Sequence, residues 1–199
     1  MDKKTLVLFD FDGTITAKDT LLEIIKYQQG SSKYYRGMLR MMPKLLMFKA
    51  GLIGNQDMKE SVMTYFWKGL DEKQFADACK KFATIMLPHM LRDKALEQLK
   101  KHLENGDEVT VVSASAEDWV LPFCKAQGIK CIASKMQKVD NKLTGKLNGL
   151  NCNGEEKVNR IKKVYNLQEY DTIIAYGDSS GDKQMLNLAT SANYKPFRN

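Results

Sequence analysis

Hydrophobic and polar positions change their spacing several times along the chain. Near the N-terminus, residues 5–10 carry Leu6-Val7-Leu8-Phe9, apolar at every position, before Asp10, Asp12 and the turn residues Gly13-Thr14. A run so short and so continuously apolar reads as a strand buried on both faces. From the helix cap Asp19-Thr20 the spacing becomes helical, with Leu21, Leu22, Ile24 and Ile25 on one stripe to about residue 29. Gly30-Ser31-Ser32 breaks that helix. A basic, methionine-rich helical stretch follows over 34–49, with Pro43 as a kink or boundary, and Gly51 and Gly54 end it. Two further helical patterns cover 56–67 and 71–87, the second with Phe75, Ala78, Phe82 and Ile85 in register. Met38, Met41, Met42 and Met47, and the aromatics Tyr34, Tyr35, Tyr65, Phe66 and Trp67, read as core or rim packing.

Beyond residue 87 the pattern alternates. A helix over 91–104 stops at Asn105-Gly106. A buried strand over 108–112 runs into Ser113-Ala114-Ser115. A helix over 117–127 stops at Gly128, and a short strand covers 129–133. Residues 135–139 and 142–147 flank Asp140-Asn141 and read as a hairpin. A helix over 154–165, a strand over 172–176 ending at Gly177-Asp178, and a helix over 181–188 follow. Residues 194–197 read as an edge strand limited by Pro196. Alternating strands and helices predict an α/β fold, a Rossmann-like parallel sheet flanked by helices. The first strand must join that sheet. The wholly helical part is then an insertion after it, dividing the chain into a core (1–17 and 88–199) and a helical cap (18–87). A cap springing from the C-terminal end of a strand would cover the sheet edge where ligands bind.

The 199 residues suit one domain with such an insertion. No apolar run reaches the roughly 18 residues of a membrane span. The N-terminal run is too short for a signal peptide, so a cytoplasmic protein is expected. Cys79, Cys124, Cys131 and Cys152 form no paired motif, and His89 and His102 are the only histidines, so free thiols are expected rather than a zinc site. Charge is uneven. Between Lys26 and Lys68 stand eight cations against Asp57 and Glu60, leaving that stretch with six of the seven net positive charges. Two readings stand: a solvated face, or a surface that meets anions such as a phosphorylated substrate, a lipid headgroup or nucleic acid.

Three predicted strands end in polar groups, Asp10 with Asp12, Ser113, and Asp178, and Lys157 and Asp182 lie on helix starts nearby. Clustered carboxylates need a cation to coexist. A set of oxygen ligands without histidine points to magnesium. Magnesium and a lysine together neutralise a phosphoryl group that an aspartate can attack. A calcium loop beginning at Asp10 does not fit, because its closing glutamate position holds Leu21 and a strand precedes it.

Asp10-Phe11-Asp12-Gly13-Thr14, Ser113 after Val111-Val112, Lys157, and Gly177-Asp178-Ser179-Ser180-Gly181-Asp182 resemble, in order, the four motifs of the haloacid dehalogenase superfamily. The helical insertion resembles the cap of its phosphoserine-phosphatase-like branch. The resemblance implies Asp10 as nucleophile, forming an aspartyl-phosphate, and Asp12 as the acid that protonates the leaving oxygen and then activates water. It implies magnesium held by Asp10, Asp178 and the backbone of Asp12, with Asp182 supporting it. Ser113 would hydrogen-bond the phosphoryl group, and Lys157 would pair with Asp10 and phosphate. Gly13, Asp19 and Ser179-Ser180-Gly181 depart from that branch, which usually has serine, glutamate and glycine-x-asparagine there, so serine recognition does not carry over. Arg36 and Arg40 of the cap are candidates for a second anionic group of the substrate.

The reading is a magnesium-dependent phosphatase of a small phosphorylated substrate, with no nucleic acid as partner. The alternatives are a phosphotransferase, a phospholipid-type phosphatase, or a non-catalytic protein that docks its basic helices on an anion. Nothing in the pattern encodes an oligomeric state.

Overall fold

The computed structural model describes residues 4–198. Its centre is β1 (Thr5–Phe9), which alternates across a sheet covered on both sides. Leu6 and Leu8 enter one apolar cluster and Val7 and Phe9 the other, which is why the run has no polar position. β2 (Glu108–Ala116), β3 (Lys130–Ser134), β6 (Thr172–Gly177) and β7 (Ser191–Tyr194) complete a five-stranded sheet in the order β3-β2-β1-β6-β7. Every pairing in it is parallel.

Helices α5 (Asp93–Glu104) and α6 (Glu117–Gln127) bury Leu99, Trp119, Val120 and Phe123 in the cluster that holds Val7 and Phe9. Helices α7 (Glu155–Val164) and α8 (Lys183–Leu188) bury Ile161, Met185 and Leu186 on the opposite side with Leu6 and Leu8. No helix among the described residues is long and apolar enough to cross a membrane.

Four helices lie between β1 and α5: α1 (Thr20–Gln29), α2 (Ser31–Lys49), α3 (Asn55–Trp67) and α4 (Glu72–Ile85). The chain leaves and re-enters the sheet layer side by side, with the Ala17 amide on the Met90 carbonyl at 2.7 Å and the Arg92 amide on the Ile15 carbonyl at 2.8 Å. Trp67 of α3 meets Trp119 of α6 at 5.8 Å between rings, and Phe66, Phe75 and Phe82 join the cluster of Phe9. The helical insertion and the sheet layer therefore share one core.

Three expectations shift. Pro43 does not end α2, which runs unbroken from Ser31 to Lys49. Pro43 is exposed, so water can satisfy the Leu39 carbonyl that loses its amide partner. The edge strand is Ser191–Tyr194 rather than 194–197, because the four residues that follow the β6 register precede the positive-φ turn at Lys195. Strand β2 continues past Val112 to Ala116, with an irregularity between Ser113 and Ala116.

The predicted hairpin, β4 (Met136–Val139) with β5 (Lys142–Leu147), forms a separate antiparallel pair. It lies against the insertion: the Gly69 amide binds the Leu143 carbonyl at 2.8 Å, and the Leu143 amide binds the Leu70 carbonyl at 2.9 Å. Gly145 makes this approach possible. Its φ is +80°, and a Cβ there would stand 2.3 Å from Thr64 Cα. Gly145→Ala should therefore cost about 2 kcal/mol or more of stability, from strain and the backbone clash together. Urea unfolding checks this as a lower midpoint.

Candidate active site

The register of β1 between β2 and β6 sets the site. The Asp10 amide binds the Tyr176 carbonyl at 2.9 Å, which carries the carboxylate to the C-terminal edge of the sheet. The next residue, Phe11, turns inward against Phe123 at 5.5 Å, leaving Asp10 and Asp12 on the ligand side. Gly13 follows with φ +83°, and a Cβ there would come within 2.2 Å of Asp178 Oδ2. Only a glycine lets the turn pass so close to that carboxylate.

Lys157, in the first turn of α7, is 1% exposed. Its Nζ donates to Asp10 Oδ1 at 2.6 Å, Asp182 Oδ1 at 2.6 Å and the Val112 carbonyl at 2.7 Å. All three ammonium protons are thus used within the protein. Arg160, one turn on, anchors α7 by donating to the Ala133 and Leu150 carbonyls, both at 2.6 Å. Burial would lower the Lys157 pKa, but the two carboxylates outweigh it and hold the group above the ordinary lysine range. Burial pushes Asp10 up to about 7, with Lys157 opposing and Asp182 and Asp12 adding to the rise. Asp182 is also buried, yet Lys157 and the hydrogen bonds from Ser179 hold its pKa below the usual range.

Asp182 uses its second oxygen as well, accepting from the Asp178 amide at 3.1 Å, the Ser179 amide at 2.9 Å and Ser179 Oγ at 2.8 Å. It therefore ties Lys157 to the turn that presents Asp178. Asp178 Oδ2 pairs with Arg198. Carboxylate oxygens of Asp10, Asp178 and Asp182 lie within 4.8 Å of one another.

Asp12 occupies a different pocket. Its Oδ1 accepts from the Thr20 amide and Thr20 Oγ1, both at 2.6 Å, and its Oδ2 accepts from Ser115 Oγ at 2.6 Å. Trp119 Nε1 donates to Thr20 Oγ1 at 2.9 Å, and Ser115 Oγ is 3.1 Å from the same hydroxyl. Ser113 Oγ accepts from the Ser115 amide at 2.9 Å. Ser113 and Ser115 stand two residues apart on β2, the spacing that lines one face of a strand.

The structure thus brings Asp10, Lys157, Asp178 and Asp182 together, and it places Asp12 in the turn after β1 and Ser113 within β2. Arg36 and Arg40 are not joined to them: among the described residues no hydrogen bond or ion pair links either arginine to the carboxylates. They line a recess of about 520 Å³ with Lys33, Leu39 and Tyr65. The cation that α3 sends towards the strand ends is Lys59, whose Nζ donates to the Ala114 carbonyl at 2.9 Å and Asn151 Oδ1 at 3.1 Å. Burial lowers its pKa, and Asp12 and Asp19 oppose the shift. Sequence reasoning also passed over Thr20 and Ser115. Thr20 reads in the sequence only as a cap residue, and Ser115 only as the end of the Ser113-Ala114-Ser115 run.

The family model described as haloacid dehalogenase-like hydrolase matches residues 7–187. Protein CicA of Caulobacter vibrioides is 31% identical over 195 residues, covering 97% of this chain and 86% of that protein. A probable phosphatase of Mycobacterium tuberculosis is 27% identical over 196 residues, covering 96% of this chain and 68% of that protein. Among solved structures, a Bordetella pertussis Tohama I protein of unknown function has a TM-score of 0.83 at 20% identity, over 94% of this chain and 88% of its own. A phospho-aspartyl intermediate analogue of phosphoserine phosphatase has a TM-score of 0.68 at 23% identity, over 94% of this chain and 84% of its own. At these identities the structural likenesses establish the fold.

Ser115→Ala removes the hydroxyl on Asp12 Oδ2 and leaves the other donors in place. A group that only fills space would change stability alone. A group that orients Asp12 should, when lost, lower kcat roughly tenfold with a melting temperature close to wild type. Steady-state kinetics beside a thermal melt separates the two.

Proposed function

The chain belongs to the haloacid dehalogenase-like hydrolases, and on that premise we propose that it is a magnesium-dependent phosphatase acting on a small phosphomonoester through an aspartyl-phosphate at Asp10. The observation that carries this reading is the buried Asp10–Lys157–Asp182 bridge at the C-terminal edge of the parallel sheet, with Asp178 beside it.

The donor set fits a hard divalent cation. It is oxygen-only, compact and without histidine. Asp10 and Asp178 would hold the ion with their carboxylates and Asp12 with its backbone carbonyl. Asp182, whose two oxygens already bind Lys157 and the Ser179 turn, supports these ligands and the cation's waters. Bound there, magnesium supplies charge neutralisation for the carboxylates and the phosphoryl oxygens.

The residues divide the rest of the chemistry. Lys157 aims the Asp10 carboxylate and opposes the burial that favours its neutral form, and a bound cation would add to that opposition. An Asp10 oxygen attacks phosphorus and the ester P–O bond breaks. The leaving oxygen takes its proton from Asp12. Asp12 then removes a proton from water as that water attacks phosphorus, and the bond to Asp10 breaks to release phosphate. Ser113 donates its hydroxyl to a phosphoryl oxygen, because its Oγ lone pair already accepts from the Ser115 amide. Lys59, bound to the carbonyl next to Ser113, contacts the remainder of the substrate from the cap side.

Asp10→Asn should abolish magnesium-dependent phosphate release from an aryl phosphate, and chelation should stop the wild-type reaction until magnesium is returned. Full activity in the variant, or in the presence of chelator, overturns the reading. Lys59→Met should raise KM for anionic phosphomonoesters about tenfold with a smaller change in kcat, as expected for loss of uniform binding. A panel of phosphorylated metabolites provides the measurement.

A further inference from the structure

Helix α2 has two apolar faces. Tyr34, Gly37, Met38, Met41, Leu45 and Phe48 turn towards the neighbouring helices, and of these Gly37 is buried. Tyr35, Leu39, Met42 and Leu46 fall at steps of four, three and four, which is a second stripe on one side of the helix. This stripe faces solvent: Leu39 is 72% exposed, and Tyr35 and Leu46 are each 61% exposed. It extends about 16 Å along the helix axis. A continuous apolar row of that length on a surface helix marks a contact surface.

The charge beside the row selects the partner. Helix α2 carries Lys33, Arg36, Arg40, Lys44 and Lys49 and no carboxylate. Arg36 and Arg40 lie to one side of the stripe, and with Lys33 they line the recess of about 520 Å³ beside Leu39 and Tyr65. Lys44 also donates to Ser61 Oγ at 2.9 Å, and Lys26 lies over the Tyr35 ring at 5.8 Å. A second copy laid stripe against stripe would bring Arg36 and Arg40 of both helices to one seam with no carboxylate on either helix to pair them. An anionic lipid surface satisfies both features, taking the apolar row among its acyl chains and placing its phosphates against the basic flank.

We propose that α2 is a membrane-docking helix that seats the protein on anionic lipid. The contact is peripheral, and it stands independently of the phosphatase reading because its readout involves no turnover.

The test is flotation of the full chain with vesicles of phosphatidylcholine containing roughly one part in three phosphatidylglycerol, against pure phosphatidylcholine, at low salt and at about 0.5 M salt. The protein should float with the anionic vesicles and not with the neutral ones, and high salt should release most of it. L39Q/L46Q, two changes on exposed positions, should reduce the bound fraction more than about tenfold while leaving the circular dichroism spectrum unchanged. Failure to float, equal binding to neutral vesicles, or undiminished binding by the double variant overturns the proposal. A dimer in sedimentation that L39Q/L46Q dissociates, without flotation, assigns the stripe to a second copy instead.

Discussion

A lysine buried among carboxylates is the constraint on which the site depends. Lys157 joins Asp10 just past β1, the Val112 carbonyl on β2 and Asp182 on the turn before α8. These three partners and α7 itself are distant in sequence, so the site exists only when the sheet has closed around β1. Removing one member of such a group leaves an uncompensated buried charge, a loss of about 3–5 kcal/mol. The same bridge gives the chemistry its starting point. Burial alone would favour a protonated Asp10, and the ammonium opposes that. Structure and function therefore rest on one set of contacts.

The strand end at Asp10 was legible because two independent signals coincide there, an uninterrupted apolar run and an abrupt pair of acids. Lys157 and Asp182 were legible by their place in the motif order, although neither announces burial: Lys162 and Lys163 lie on the same helix and are exposed. What escaped was set by tertiary geometry. Ser115 reaches Asp12 from the part of β2 that continues past Val112. Thr20 serves it because the first helix of the insertion starts directly beneath Trp119. Lys59 was one of eight cations in the basic stretch, and only the packing of α3 on the 149–151 turn distinguishes it. Its neighbours Asn55 and Gln56 bind Asn151, the Asn55 side chain at 2.9 Å and the Gln56 side chain at 3.0 Å.

The insertion divides its labour. Helices α3 and α4 join the core cluster, and the β4–β5 hairpin braces α3 from the other side. Helix α2 contributes one face to that packing and leaves the other, with most of the excess positive charge, turned outward. Arg36 and Arg40 belong to this outward surface, which is why a charge count alone directed attention to them, while the cation tied to the strand ends is the partly buried Lys59. A local excess of charge fits a solvated face as well as a surface that meets an anion. Packing decides which cation meets which anion.

On the proposed mechanism, the Asp10 carboxylate attacks phosphorus. Borohydride trapping during turnover, followed by peptide mass spectrometry, tests it most directly, because an acyl-phosphate is reduced where an ordinary carboxylate is not. Substrate-dependent reduction confined to residue 10 is expected. Trapping at a different carboxylate, or sustained turnover with no trapped residue, would contradict it.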